Sequence, residues 1–290
     1  MTASSTPRRP RVAIVGRFQQ GKSTLVNCLL DGRVAVTGVG LRTTCIETTY
    51  HFSEIEDVRI QVPHQAERRV ALEAFLEAAA RGLPAGSKAR VGLWRPLLEH
   101  VDLIDTPGLD DNEQDDDVVR RVITEADRFI VVLPPIGTIH QCDKRLFAAI
   151  HGQGKRYSVL VNALKSPGTT DEITASVAAA LGNMDFKPDP IMEQSVFACN
   201  FMWFWAGSGH LDRESDKVGR LEVWEDISRA HRGTTPERGH LAEASRFIEV
   251  RRALAKSVAT AETLTFDAQL LLDHAEAKWR DALSAALRPN

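Results

Sequence analysis

Residues 16–24, GRFQQGKST, constrain this chain more than any other stretch of it. They fit the pattern G-x-x-x-x-G-K-[ST] at Gly16, Gly21, Lys22 and Ser23. The flanks give the pattern its meaning. A short apolar run, RVAIV at 11–15, precedes it and has the character of a buried strand. The segment KSTLVNCLL at 22–30 follows with helical spacing and no breaker. Strand, glycine turn and helix in that order open a doubly wound α/β domain. Glycines let backbone N–H groups turn inward, and the positive end of the helix faces the same point, so the turn is built to hold phosphate. Lys22 adds a point charge and the Ser23 hydroxyl suits a Mg²⁺ ion. Gly16, Gln19, Gln20, Gly21 and Thr24 complete the expected nucleotide-contacting set around this loop.

A second motif supports the first. The run VDLI is followed by Asp105-Thr106-Pro107-Gly108. An aspartate at the C-terminal end of a strand can hold Mg²⁺ through water, and a glycine three residues on can offer its N–H to a γ-phosphate; Asp105 and Gly108 fit those tasks. Between the two motifs lies VAVTGVGLRTTC, in which Thr43 or Thr44 is expected to close over Mg²⁺ and the γ-phosphate. A threonine pair of this kind also suits the start of a strand.

Beyond the motifs, apolar runs alternate with helical patterns. Strands are expected at 43–52, 58–62, 101–104, 128–133, 157–161 and 195–199, and helices at 65–81, 117–126, 143–151 and 173–181. The strand at 58–62 is expected to pair with that at 43–52. Such alternation predicts a P-loop NTPase fold, a mainly parallel sheet with helices on both faces. Residues 1–10 read as a tail and 11–238 as the nucleotide-binding domain. Residues 239–290 carry two apolar helical stripes, a partial bundle. The 36 basic and 39 acidic residues leave a net charge of −3, which does not favour a nucleic-acid partner. Four widely spaced cysteines form no C-x-x-C pair and suit a reducing compartment. No run approaches the ~18 apolar residues of a membrane helix, so a cytoplasmic protein is expected, with reversible membrane contact left open. The acidic run at 110–117 fits the start of a helix better than a metal cluster.

These residues resemble the dynamin-like GTPases, particularly the bacterial ones. GRFQQGKSTLVNCLL is similar to their G-x-F-x-x-G-K-S-T-x-x-N-x-L-L opening, VTGVGLRTT to their lid, with Arg42 at a usual proline, and LIDTPGLDD to their second motif. The resemblance covers about residues 11–258. It implies Mg²⁺-dependent hydrolysis of GTP by a G domain that pairs face to face with a second copy or with another partner, often at membranes. Lys22, Gln19, Thr43 and Thr44 would then be the catalytic set, with Ser23, Thr43, Thr44 and Asp105 around the metal.

The match breaks at the base-reading motif. The family carries N-K-x-D after the strand at 157–161; this chain carries Asn162-Ala163-Leu164-Lys165. The guanine-accepting aspartate is missing, so selection of GTP over other purine triphosphates falls to Asn162, Lys165, Asn200 or a rearranged Asp171. Gln19 stands where relatives carry serine or arginine, and Leu109 follows the second motif in place of a water-positioning glutamine. Two alternatives therefore stay open beside a GTPase: a slow nucleotide-dependent switch, and a non-hydrolysing scaffold subunit.

Overall fold

The computed structural model describes residues 8–37, 46–109, 120–135, 139–163, 170–189, 196–202, 204 and 246–247. The apolar run after the N-terminal segment forms β1 (Arg11–Val15), buried from Val12 onward. The phosphate-loop segment leads into α1 (Lys22–Leu30). Next come β2 (Glu47–Phe52), β3 (Asp57–Gln61), β4 (Arg68–Val70), α2 (Leu72–Arg81) and β5 (Lys88–Leu93). A short 3-10 turn at Pro96–Glu99 precedes β6 (Asp102–Asp105) and β7 (Arg128–Leu133). The described chain closes with α3 (Gln141–Gly152), β8 (Arg156–Asn162), α4 (Thr170–Gly182) and β9 (Val196–Cys199). Residues 120–125 are also helical.

The strands form one sheet in the order β4-β3-β5-β2-β6-β1-β7-β8-β9. The half from β6 to β9 is parallel throughout. The β7 run RFIVVL alternates between the two faces, Ile130 and Val132 on one and Phe129, Val131 and Leu133 on the other. A strand buried on both faces needs such an unbroken apolar run. One core gathers α1, α2 and the aromatics Phe201, Phe204 and Phe247. The other gathers α3, α4 and residues 122–126. β1 sits between β6 and β7, and its C-terminal end is the point where the chain leaves the sheet toward opposite faces, the crevice in which open α/β sheets bind ligands.

The β2–β5 half departs from expectation in three ways. β3 pairs with β4 and β5, not with β2. β5, which is not among the elements expected from sequence, inserts between them and runs parallel to β2. Its polar Lys88 and Arg90 break the apolar signal because that sheet face is open to solvent there; Arg59 and Arg90, opposite one another, are both exposed. Finally, the helix expected over 65–81 begins only at Leu72, and residues 68–70 are strand. The Glu56 carboxylate accepts the Leu72 N–H at 3.1 Å, a cap from a residue outside the local window. β2 itself is antiparallel to β6, so the sheet is mixed, with its parallel part around the crevice. Of the helix expected at 117–126, residues 120–126 are described and 120–125 are helical; the run 110–117 lies outside the described residues.

Candidate functional site

The loop between β1 and α1 needs backbone geometry that few residues adopt. Gly21, the N-cap of α1, has φ 92°, and Gln19 has φ 60°. A side chain at Gly21 would be strained by that φ and would also meet Asn162 Nδ2 at 2.7 Å. The first turn of α1 carries no acidic residue of its own, which suits an anion at the helix start.

Lys22 is buried, and its Nζ folds back over the loop to donate to the carbonyls of Gly16 at 3.1 Å and Arg17 at 2.9 Å. Ser23, one residue on, donates its hydroxyl to Asp105 Oδ2 at 2.8 Å. Asp105 ends β6 next to the end of β1, and its register partner is Ile14. Its carboxyl group is fully buried, and its Oδ1 has no hydrogen-bond partner among the described residues. Burial pushes its pKa from 3.8 up to about 6, against the pull of Lys22, the Ser23 hydrogen bond and the Thr106 backbone. An orphaned buried carboxylate oxygen beside a hydroxyl is a hard-oxygen donor set, the kind that suits Mg²⁺.

The second motif is tied to the first by backbone. Leu109 N–H donates to Gly16 O at 3.1 Å and Phe18 N–H to Leu109 O at 3.4 Å, forming an isolated parallel bridge between Arg17 and Leu109. Thr106 is fixed by its hydroxyl, which donates to Ile14 O at 2.8 Å. Gly108 has no room for a side chain: a Cβ there would lie 2.5 Å from Phe18 Cα and 2.8 Å from its N.

Of the residues expected from sequence, Gly16, Gln19, Gln20, Gly21, Lys22, Ser23, Thr24, Asp105 and Gly108 therefore converge on the crevice at the end of β1 and β6. Asn162, the last residue of β8, joins them. Its Nδ2 donates to Gln20 O at 3.3 Å and so braces the loop from the far side. Asn200 follows β9 directly and is buried, and the N–H of Phe204 donates to its carbonyl at 3.2 Å. Thr43, Thr44 and Lys165 lie outside the described residues. Asp171 is engaged elsewhere, with its Oδ1 2.7 Å from Arg246 Nη1. The Arg246 guanidinium also stacks on the Phe197 ring, 4.8 Å from its centroid.

Two contributors are not among the expected residues. Phe201 packs beside Gly21, with its Cδ2 3.3 Å from where a Cβ would stand. Arg17 directs its Nε to Asp143 Oδ2 at 3.3 Å. Asp143 is the N3 residue of α3 in a His140–Asp143 capping box. Polar residues before a helix signal the cap, but only the three-dimensional placement of α3 reveals the partner.

A P-loop G-domain fold with a lysine, hydroxyl and carboxylate at the loop defines the class of protein. The chain belongs to the dynamin family, whose model matches residues 12–164. It is 28% identical to human mitofusin-2 over 163 residues, 53% of this chain and 21% of that protein. It is 29% identical to dynamin-like protein 2 of Campylobacter jejuni over 113 residues, 38% of this chain and 18% of that one. The matched part is thus about one fifth of these relatives' length. A structure of an oligomerised bacterial dynamin pair, which senses and tethers membranes, superposes with a TM-score of 0.49 at 18% identity, covering 86% of this chain and 37% of that one. Among the described residues no helix is long and apolar enough to cross a membrane, and no group of three or more His, Cys, Asp and Glu side chains could hold a metal ion.

Proposed function

We propose that the chain binds GTP and cleaves its β–γ phosphoanhydride as a Mg²⁺-dependent cytoplasmic GTPase, activated by pairing of G domains or by a partner. One observation carries this reading: Lys22, Ser23 and Asp105 converge at one loop, with a carboxylate oxygen of Asp105 left without a hydrogen-bond partner among the described residues. Lys22 and the loop N–H groups hold the phosphates. Ser23 and Asp105, with Thr43 or Thr44, would hold Mg²⁺. Bound there, the ion would neutralise charge developing on the transferred phosphoryl group. Gly108, pressed against Phe18, presents its backbone to the γ-phosphate. Gln19, exposed at the loop's crest, is the side chain placed to orient water. Transfers of this type depend on positioning and charge, which this constellation supplies. Residues 11–238 would be the G domain and 239–290 its helical extension.

Base selection falls to other residues, because Lys165 replaces the expected aspartate and Asp171 is paired with Arg246. Asn162 and Asn200 remain to contact the base. Calorimetric titration with non-hydrolysable GTP and ATP analogues, with and without Mg²⁺, tests the proposal directly. Tighter Mg²⁺-dependent binding of the GTP analogue, lost in Lys22→Ala, is the expected result. Equal binding of both analogues would make the protein a general purine triphosphatase. Binding of neither, or undiminished binding by Lys22→Ala, would refute the site.

A further inference from the structure

We infer that the Arg17–Asp143 ion pair pins the phosphate loop to the start of α3, making Asp143 a positioning residue for the triphosphate; this rests on the nucleotide-binding reading of the loop. Asp143 is a charged residue with 0% exposure, and its side chain is 1% exposed. A buried carboxylate needs strong compensation. It has some from α3 itself, since Oδ2 accepts the His140 N–H at 3.0 Å and the helix N-terminus favours negative charge. The same oxygen lies 3.3 Å from Arg17 Nε, close enough for an ion pair although not aligned as a hydrogen bond.

Arg17 is more than a surface cation seeking a partner. Its side chain is 20% exposed. Its carbonyl accepts the Lys22 ammonium at 2.9 Å, and the residue bridges to Leu109. Arg17 thus stands where three things meet: its carbonyl holds the lysine, its neighbours Gly16 and Phe18 hydrogen-bond Leu109 of the second motif, and its guanidinium reaches α3. Freeing the guanidinium would loosen the peptide that sets the position of Lys22. The pair acts on the nucleotide only through that peptide, without touching the phosphates.

Three variants separate positioning from simple stabilisation. Asp143→Asn keeps an oxygen to accept the His140 N–H but removes the charge. Arg17→Gln removes the opposite charge. Arg17→Lys keeps a cation on a half-buried loop position and guards against failure to fold. Affinity for a non-hydrolysable GTP analogue with Mg²⁺ is measured by calorimetry well below each variant's Tm, beside a thermal melt. Each neutral variant is expected to weaken binding by about tenfold, the double Arg17→Gln/Asp143→Asn variant by no more than the worse single one, and Arg17→Lys by less. Lowered Tm with affinity within about twofold of wild type would overturn the pin and leave the nucleotide site intact. Additive losses in the double variant would also overturn it, since a pin is lost only once. Wild type that binds no triphosphate would overturn the pin together with the site reading.

Discussion

Replacing Asp105 with Asn tests the chemistry of the site without any nucleotide. The Asp105 carboxyl is buried and its pKa stands at about 6 rather than 3.8, chiefly through burial. A carboxyl group with a raised folded-state pKa gives stability that is present below its unfolded pKa and is lost as pH rises through the folded one. The window here is about 3.8 to 6. Full ionisation costs about 3 kcal/mol, since each pKa unit is worth 1.36 kcal/mol. Between pH 5 and pH 7.5 the linkage integral for this one group comes to about 1.4 kcal/mol. For a domain of this size that corresponds to a Tm difference of roughly 3–6 °C. Asp105→Asn removes this titration. Its amide can still accept the Ser23 hydroxyl, but it places an N–H donor where Oδ1 stands unpartnered, an offsetting cost of about 1–3 kcal/mol. The measurement is therefore the change in the wild-type minus variant gap with pH rather than the gap itself. Thermal melts of both proteins, free of nucleotide and metal, are expected to show wild type losing about 1.4 kcal/mol relative to the variant between pH 5 and pH 7.5. A gap that stays constant across that range would refute the buried, ion-ready carboxylate.

Three other outcomes follow from the geometry. Gly108→Ala forces a Cβ against the Phe18 backbone and is expected to cost about 1–3 kcal/mol in thermal unfolding and to reduce the preference for a GTP analogue over GDP in calorimetry. Phe247→Ala empties a fully buried site between Phe201 and Phe204, whose rings lie 5.8 and 4.7 Å away; chemical denaturation is expected to register a loss of about 3–5 kcal/mol. Asn162→Ala removes the brace on Gln20 and is expected to weaken binding of GTP and ATP analogues by similar factors if Asn162 acts on the loop rather than on the base; a loss confined to GTP would assign it to guanine instead.

The loop geometry of the candidate site was legible because it is local. Gly16, Gly21, Lys22 and Ser23 lie in one tight turn, and Asp105 and Gly108 in another, so fixed spacing betrays them. The parallel half of the fold was equally readable, since runs such as RFIVVL have few other uses than a doubly buried strand. The β2–β5 half was not. Arg68–Val70 lies beside a strong helical pattern, and whether it is strand depends on β3, which precedes it by several residues. Lys88–Leu93 is half polar because one face of the sheet stays wet there. The pairing of Arg17 with Asp143 and the insertion of Phe247 beside Phe201 are long-range juxtapositions that no residue-by-residue pattern encodes. Sequence did show that the guanine-reading aspartate is absent; the structure adds that Asp171 is committed to Arg246.

The bridge between Arg17 and Leu109 has a consequence for insertions and deletions. In the sheet Ile14 is opposite Asp105, and beyond it Arg17 is opposite Leu109. One strand covers the interval in three steps and the other in four (14 to 17 against 105 to 109), so the Thr106–Gly108 segment has one residue to spare and must bow outward before rejoining its neighbour. Both ends of that bow are tied by hydrogen bonds to the same stretch, Ile14–Phe18. Its length is as constrained as its Gly108: one residue fewer would pull Leu109 out of register with Arg17, and one more would push Gly108 away from Phe18. Codon-length changes here should be as disabling as loss of the lysine, although they touch no charged group.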